Sequence, residues 1–154
     1  MSTVGNQRVS YAEAARRHFA DAALLLSNSR EANAGQLFGL AAECGLKAIV
    51  VACGANTDAD GSVDKLAGVK GKPFRDHMPQ LHQAAIAYGC HLPDGRFSTR
   101  YLASMPSLSV FSDWAVEHRY WRDTAWPAAS LPKWTTAADE VMLALDQAQK
   151  DGVL

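Results

Sequence analysis

Glu31-Ala-Asn-Ala-Gly-Gln-Leu-Phe-Gly-Leu-Ala-Ala-Glu-Cys-Gly-Leu-Lys-Ala-Ile-Val-Val-Ala-Cys53 decides the fold. Ala34, Leu37, Ala41, Cys44, Ala48 and Val51 recur at steps of three and four, the spacing of one helical face. Phe38, Ala42, Leu46, Ile49 and Cys53 fill a second face, so this helix is expected over about 31–53 as the most buried of the fold. Gly54 closes it. Glu43 and Lys47 break the apolar pattern as an i,i+4 pair with the acid first. On such a helix they read as a structural ion pair, or as charged lining of a pocket.

A helix with two apolar faces needs partners on both sides, and the flanking sequence supplies them. Ser10-Tyr-Ala-Glu13 has capping-box form, with Ala15, Phe19, Ala22 and Leu26 along one face and Arg16, Arg17 and Asp21 opposite. A first helix is expected over about 10–28. Glycines 54, 61, 68 and 71 with Asn56, Asp58, Asp60 and Asp64 mark 54–73 as a long flexible loop. Asp58-Ala-Asp60-Gly61 suggests a calcium loop, but the glycine comes too early and Val69 stands where the bidentate glutamate belongs. A third helix is expected over about 76–89 with Met78, Leu81, Ala85 and Tyr88 inward. Residues 98–103 read as a turn or two, and Pro106 delays the next helix to about 107–120. After a proline-bounded loop from Trp126 to Pro132, Thr136-Ala-Ala-Asp139 reads as the cap of a last helix to about 150, with Val141, Leu145 and Ala148 inward. No alternating run suggests a strand. The expected class is all-α, an antiparallel bundle of four to five helices in one domain, with 1–9 and 151–154 as flexible ends.

Composition narrows the function classes. A formal net charge of -1 over 154 residues gives no molecule-wide attraction for polyanions, so a nucleic-acid site must be a local patch. The polar start of the chain is not a secretory signal, and no unbroken run of apolar residues long enough for a membrane span occurs. Cys44, Cys53 and Cys90 lack paired spacing and are expected as buried free thiols of a cytoplasmic protein.

Asp113-Trp-Ala-Val-Glu-His-Arg-Tyr-Trp-Arg122 concentrates the chemistry at the end of the late helix. His118 offers an imidazole suited to proton transfer near neutral pH, and Arg119 and Arg122 offer guanidinium groups suited to phosphate oxygens. Tyr120 adds a phenol, while Arg100 lies upstream with Arg96 as a further cationic candidate. As plain structure, His118 would pair with Glu117 or Asp113 at a helix end, and Trp121, Trp126 and Trp134 would be packing residues. His77 and His82 do not share a helical face and have no evident third ligand, so no metal site is expected.

Three stretches together resemble the HEPN family (higher eukaryotes and prokaryotes nucleotide-binding domain). They are Ala41-Ala-Glu43-Cys-Gly-Leu46-Lys47 on the second helix, Phe74-Arg-Asp-His77-Met-Pro-Gln-Leu81 at the third, and Trp114-Ala-Val-Glu-His-Arg119-Tyr120 late in the chain. The resemblance covers about 10–150 and implies a helical bundle that forms a homodimer through its late helices; the expected contact is the segment near 98–126, rich in Leu, Phe, Tyr and Trp yet too interrupted to be satisfied by packing within one chain. It further implies association with RNA or a nucleotide, RNA cleavage without a metal or other cofactor, or pairing with a small nucleotidyltransferase as toxin and antitoxin. Catalytic members carry Arg, four to six residues, then His with Tyr two positions on. His118 and Tyr120 match that second half, and Arg119 stands between them. Asp113 occupies the arginine's place, where a carboxylate would repel the scissile phosphate; Arg119 or Arg122 would have to replace it. Arg75 and His82 match the motif formally but lie in the third helix, and Trp121 stands where short relatives have proline. The competing expectations are a ribonuclease subunit, a non-catalytic module binding a nucleotide or protein, and a helical interaction protein with no nucleic-acid role. The direction of the late side chains separates them.

Overall fold

The computed structural model describes residues 6–154, and these are all-α. Four α-helices carry the architecture: α1 (Tyr11–Ser27), α2 (Glu31–Ala52), α3 (Gln80–Tyr88) and α4 (Leu131–Lys150). Ser10 caps α1 by accepting the Glu13 backbone N–H at 3.3 Å. Asn28 closes it, its amide donating to the Leu24 carbonyl at 2.9 Å, and Ser29 turns the chain at φ 58°. The turn is short enough to lay α2 antiparallel against α1, while α4 covers the other face of α2.

Of the two apolar faces of α2, Phe38, Ala42, Leu46, Ile49 and Cys53 of the second are all buried, while on the first Ala34, Ala41 and Ala48 are buried and Leu37, Cys44 and Val51 half-buried. By length and hydropathy α2 also passes as a candidate membrane span, but 78% of its most apolar window lies inside the fold, as a core helix requires. Glycines let neighbours approach closely. A β-carbon at Gly39 would fall 2.0 Å from the Trp114 indole, and one at Gly45 would fall 2.4 Å from Val141 of α4.

Three boundaries differ from expectation. The third helix starts at Gln80 rather than near 76, because Pro79 offers no N–H to extend the helix backwards; a 3₁₀ turn, Pro73–Arg75, precedes it. The last helix starts at Leu131, with Pro132 in its first turn where a missing N–H does no harm. Thr136 is therefore no cap, and its hydroxyl donates back to the Pro132 carbonyl at 3.1 Å. The late helix expected over 107–120 is absent. In its place are 3₁₀ segments at Pro106–Asp113 and Val116–Tyr120, separated by extended backbone at Trp114 and Ala115.

The apolar spacing explains this break. Phe97, Tyr101 and Met105 step by four through a π-helical turn; Leu108, Phe111 and Trp114 then step by three, and all six are buried. A 3₁₀ helix has three residues per turn, so only that winding keeps the second triplet on one face. These side chains are satisfied within the protomer, which removes most of the apolar surface expected to demand a dimer partner.

The glycine-rich stretch is a loop, and it is fastened at several points. The Asp58 carboxylate accepts the N–H groups of Asp60 and Ser62 at 3.0 Å each, an isolated bridge joins Thr57 to Val63, and Val63 is buried. Val63 N–H also donates to the Tyr11 hydroxyl at 3.0 Å. Arg8 pairs with Asp60 at 2.7 Å, tying residues expected as a flexible end, while residues 1–5 lie outside the described residues. At the other end, Asp151 accepts from the Tyr101 hydroxyl at 2.7 Å. Of the three thiols, Cys53 is buried, Cys44 half-buried and Cys90 exposed, so the expectation of three buried thiols fails at Cys90. Burial pushes Cys44 and Cys53 up to about 11, leaving both as neutral thiols.

Candidate functional site

An ionised pair on a buried helix must find its solvation inside the fold. Glu43 and Lys47 retain only 7% and 8% side-chain exposure, with the ammonium 3.4 Å from Glu43 Oε2. Lys47 also donates to the Arg75 carbonyl at 3.4 Å and sits 5.8 Å from the centre of the Tyr11 ring. The second carboxylate oxygen, Glu43 Oε1, lies 2.8 Å from His77 Nδ1. An ionised carboxylate can only accept, so Nδ1 carries a proton and the contact fixes which way the ring faces. His77 is 53% exposed, unlike the pair beneath it.

His77 lines a cleft of about 370 Å³ between residues 76–80 and residues 112–117, where the two 3₁₀ segments meet. Asp76 and Glu117 stand at it with Ser112, and Trp114, Met78 and Pro79 give it apolar walls. Trp114 is fixed by a hydrogen bond from its indole N–H to the Gly35 carbonyl at 3.1 Å. Gln36 holds the facing wall by donating to the Val116 carbonyl at 3.2 Å, and its own side-chain oxygen is buried without a partner. Thus Glu43 and Lys47 are both an ion pair and the support of a cleft residue. In the sequence His77 stood as a metal-ligand candidate and as part of the HEPN-like stretch. The signal that could have found its role was Glu43 itself, a carboxylate on an apolar helix that can hold a donor from a facing element. No group of three metal-ligating side chains occurs among the described residues.

The late cluster follows directly from this wall. His118, Arg119 and Tyr120 lie on the short 3₁₀ segment Val116–Tyr120, not at the end of an α-helix. His118 packs on indoles instead of pairing with an acid: its ring centre is 4.4 Å from that of Trp121 and 6.0 Å from that of Trp134. Burial lowers its pKa, against opposing pulls from Asp113 and Glu117. Arg119 stacks on Tyr120 at 4.8 Å, and among the described residues neither Arg119 nor Arg122 lies in a salt bridge. Tyr120 is 75% exposed and Trp121 48%. Arg100 stands elsewhere, paired with Asp151 at 3.1 Å past the C-terminal end of α4. Asp151 is roughly 25 Å along the helix from Trp134, which packs on His118. Within one protomer Arg100 does not join the cluster.

Asp113 has work of its own. Its carboxylate accepts the Trp134 indole N–H at 3.0 Å and the Ser130 hydroxyl, joining the late segment to the start of α4. Asp113→Arg, which would recreate the arginine spacing of catalytic HEPN members, should therefore destabilise the protein by about 1–2 kcal/mol. Trp134 keeps only its second acceptor, the Val110 carbonyl at 3.2 Å. An unchanged urea midpoint would show the contact to be idle.

Acid should weaken the fold for a related reason. His18, His82 and His118 all have folded-state values lowered chiefly by burial. Each contributes stability that is fully present above about pH 6.5, its unfolded value, and is lost as pH falls through the lower folded value. Urea unfolding at pH 5 and pH 7.5 checks this, with equal midpoints as the refuting result.

Compared with family models, curated proteins and solved structures, the chain matches none.

Proposed function

We propose that this protein is a HEPN-like domain that binds single-stranded RNA or a nucleotide through the strip His118–Arg122. The carrying observation is the pairing of two cations that lie in no salt bridge among the described residues, Arg119 and Arg122, with two exposed rings, Tyr120 and Trp121, on consecutive residues. Guanidinium groups meet phosphates and aromatic faces stack unpaired bases, a combination suited to single strands and not to a duplex. Binding is favoured over cleavage at His118. Asp113 is occupied by Trp134 and Ser130, and the His118 ring lies against two indoles. The proposal includes a homodimer, in which two strips meeting near a two-fold would double a cationic patch that the net charge of -1 leaves weak. A nucleotidyltransferase partner is the corresponding protein-level expectation of the HEPN resemblance.

Fluorescence anisotropy with a labelled single-stranded RNA tests the strip. Arg119→Ala and Arg122→Ala should each weaken binding and reduce the salt slope by about 0.7, the counterion release of one single-strand phosphate contact. Trp121→Ala should cost about 1–3 kcal/mol of affinity by removing a stacking face. Loss of neither affinity nor slope in the double arginine variant would sink the proposal. Sedimentation checks the dimer, which should bury more than about 1,000 Å² if stable.

A further inference from the structure

We infer that the cleft between residues 76–80 and 112–117 is a ribose-reading subsite, in which His77 Nε2 hydrogen-bonds the 2′-hydroxyl of an RNA nucleotide. The inference rests on the RNA reading of the neighbouring strip and adds the feature that tells RNA from DNA.

Hydrogen-bonding groups line the cleft. His77 donates its Nδ1 proton to Glu43 at 2.8 Å, which holds the ring in one orientation at the cleft it lines and leaves Nε2, its other nitrogen, for a ligand. Glu43 cannot drift, because it sits on the most buried helix and is held by Lys47 at 3.4 Å. Structural pairing alone would need only Glu43 and Lys47. The third member places a half-exposed imidazole in one orientation, which is the arrangement of a recognition or proton-accepting group. Asp76 and Glu117 add carboxylates at the same cleft. Such a site takes hydroxyl and amine donors and repels phosphate. A ribonucleoside offers those donors, and a volume of about 370 Å³ fits one drug-sized unit against the Trp114, Met78 and Pro79 walls.

The phosphate then has a defined place to go. Arg119 follows Glu117 by two residues on the same 3₁₀ segment, a rise of roughly 4 Å and about two-thirds of a turn, so its guanidinium leaves the helix on a different side from Glu117 and meets a phosphate outside the cleft. Acid within and guanidinium outside orient the nucleotide: sugar inward, phosphate outward. The 2′-hydroxyl is the group that RNA has and DNA lacks at this point.

The test compares three labelled single strands of one sequence, all-ribo, all-2′-deoxy and 2′-O-methyl, against the wild-type chain and three variants. Wild type should bind the ribo strand about 10-fold more tightly than either other strand, the effect of one well-made hydrogen bond. His77→Phe keeps an aromatic ring but removes the hydrogen-bonding nitrogen, and should bring the ratio near one by weakening only the ribo strand. Glu43→Gln should reduce the ratio as a positioning change. Arg119→Ala should weaken all three strands alike and leave the ratio in place. Thermal unfolding of each variant confirms that it is folded, and His77→Phe carries the test if Glu43→Gln is not. Equal wild-type binding of ribo and deoxy strands, or a ratio unmoved by His77→Phe, overturns the subsite while leaving the strip intact. Absence of binding to any strand at low salt overturns the RNA proposal and this inference together.

Discussion

Gly39→Ala lowers the thermal midpoint by roughly 6–12 °C, the equivalent of about 3 kcal/mol for a chain of this size. An exposed helical glycine would give the opposite sign, since alanine gains about 1 kcal/mol in helix propensity. Here the added β-carbon would lie 2.0 Å from Cε2 and 2.1 Å from Nε1 of Trp114. No rotation of a methyl relieves that approach, so the indole must leave its seat on α2. Trp114 is fully buried and donates to the Gly35 carbonyl, so displacement loses dispersion contacts and one buried hydrogen bond together. The penalty should vanish in a Trp114→Leu background, where the methyl meets a smaller neighbour, and a double-mutant cycle on the two sites reads this coupling directly. A Gly39→Ala protein as stable as wild type, or more stable, would show that the indole can shift without loss. RNA discrimination should fall with stability, because Trp114 is also a wall of the cleft.

Periodicity made the helices α1 and α2, their antiparallel packing and the inward face of α4 legible, because a helix buried on one or two faces leaves that record whatever its neighbours are. The late segment was less legible for a physical reason. Phe97, Tyr101, Met105, Leu108, Phe111 and Trp114 change step from four to three, and an α-helical template over 107–120 averages across that change. Strict spacing by three was the available sign of 3₁₀ winding. Helix starts at Gln80 and Leu131 were misplaced because prolines that end one helix can also open another. Of the site, Glu43, Lys47, Arg119, Tyr120 and Arg122 were visible as residue types out of pattern. The contact of His77 with Glu43 spans 34 positions along the chain, and the partnership of Asp113 with Trp134 spans 21. Such pairings depend on tertiary packing, so Asp113 read from sequence as a missing arginine and not as a buttress.

Lys47→Met destabilises the protein by about 3–5 kcal/mol, the usual result of removing one partner of a buried pair. Methionine matches the lysine stem in length and apolar volume, so packing around Tyr11 changes little and the loss reports on charge. Glu43 then keeps its buried carboxylate with only the His77 N–H to satisfy it. The double variant Glu43→Leu with Lys47→Met removes both charges and should regain most of the lost stability, because two apolar side chains on α2 need no internal solvation. Chemical denaturation of the two singles and the double gives the coupling energy, and a Lys47→Met loss below about 1 kcal/mol would mean that water reaches the pair. The double variant also separates support from stability. Without Glu43 the His77 ring has no fixed orientation, so a protein restored to near wild-type stability should still bind ribo and deoxy strands alike. If it retains the full preference for RNA, the buried pair serves the fold alone and His77 needs no support from α2.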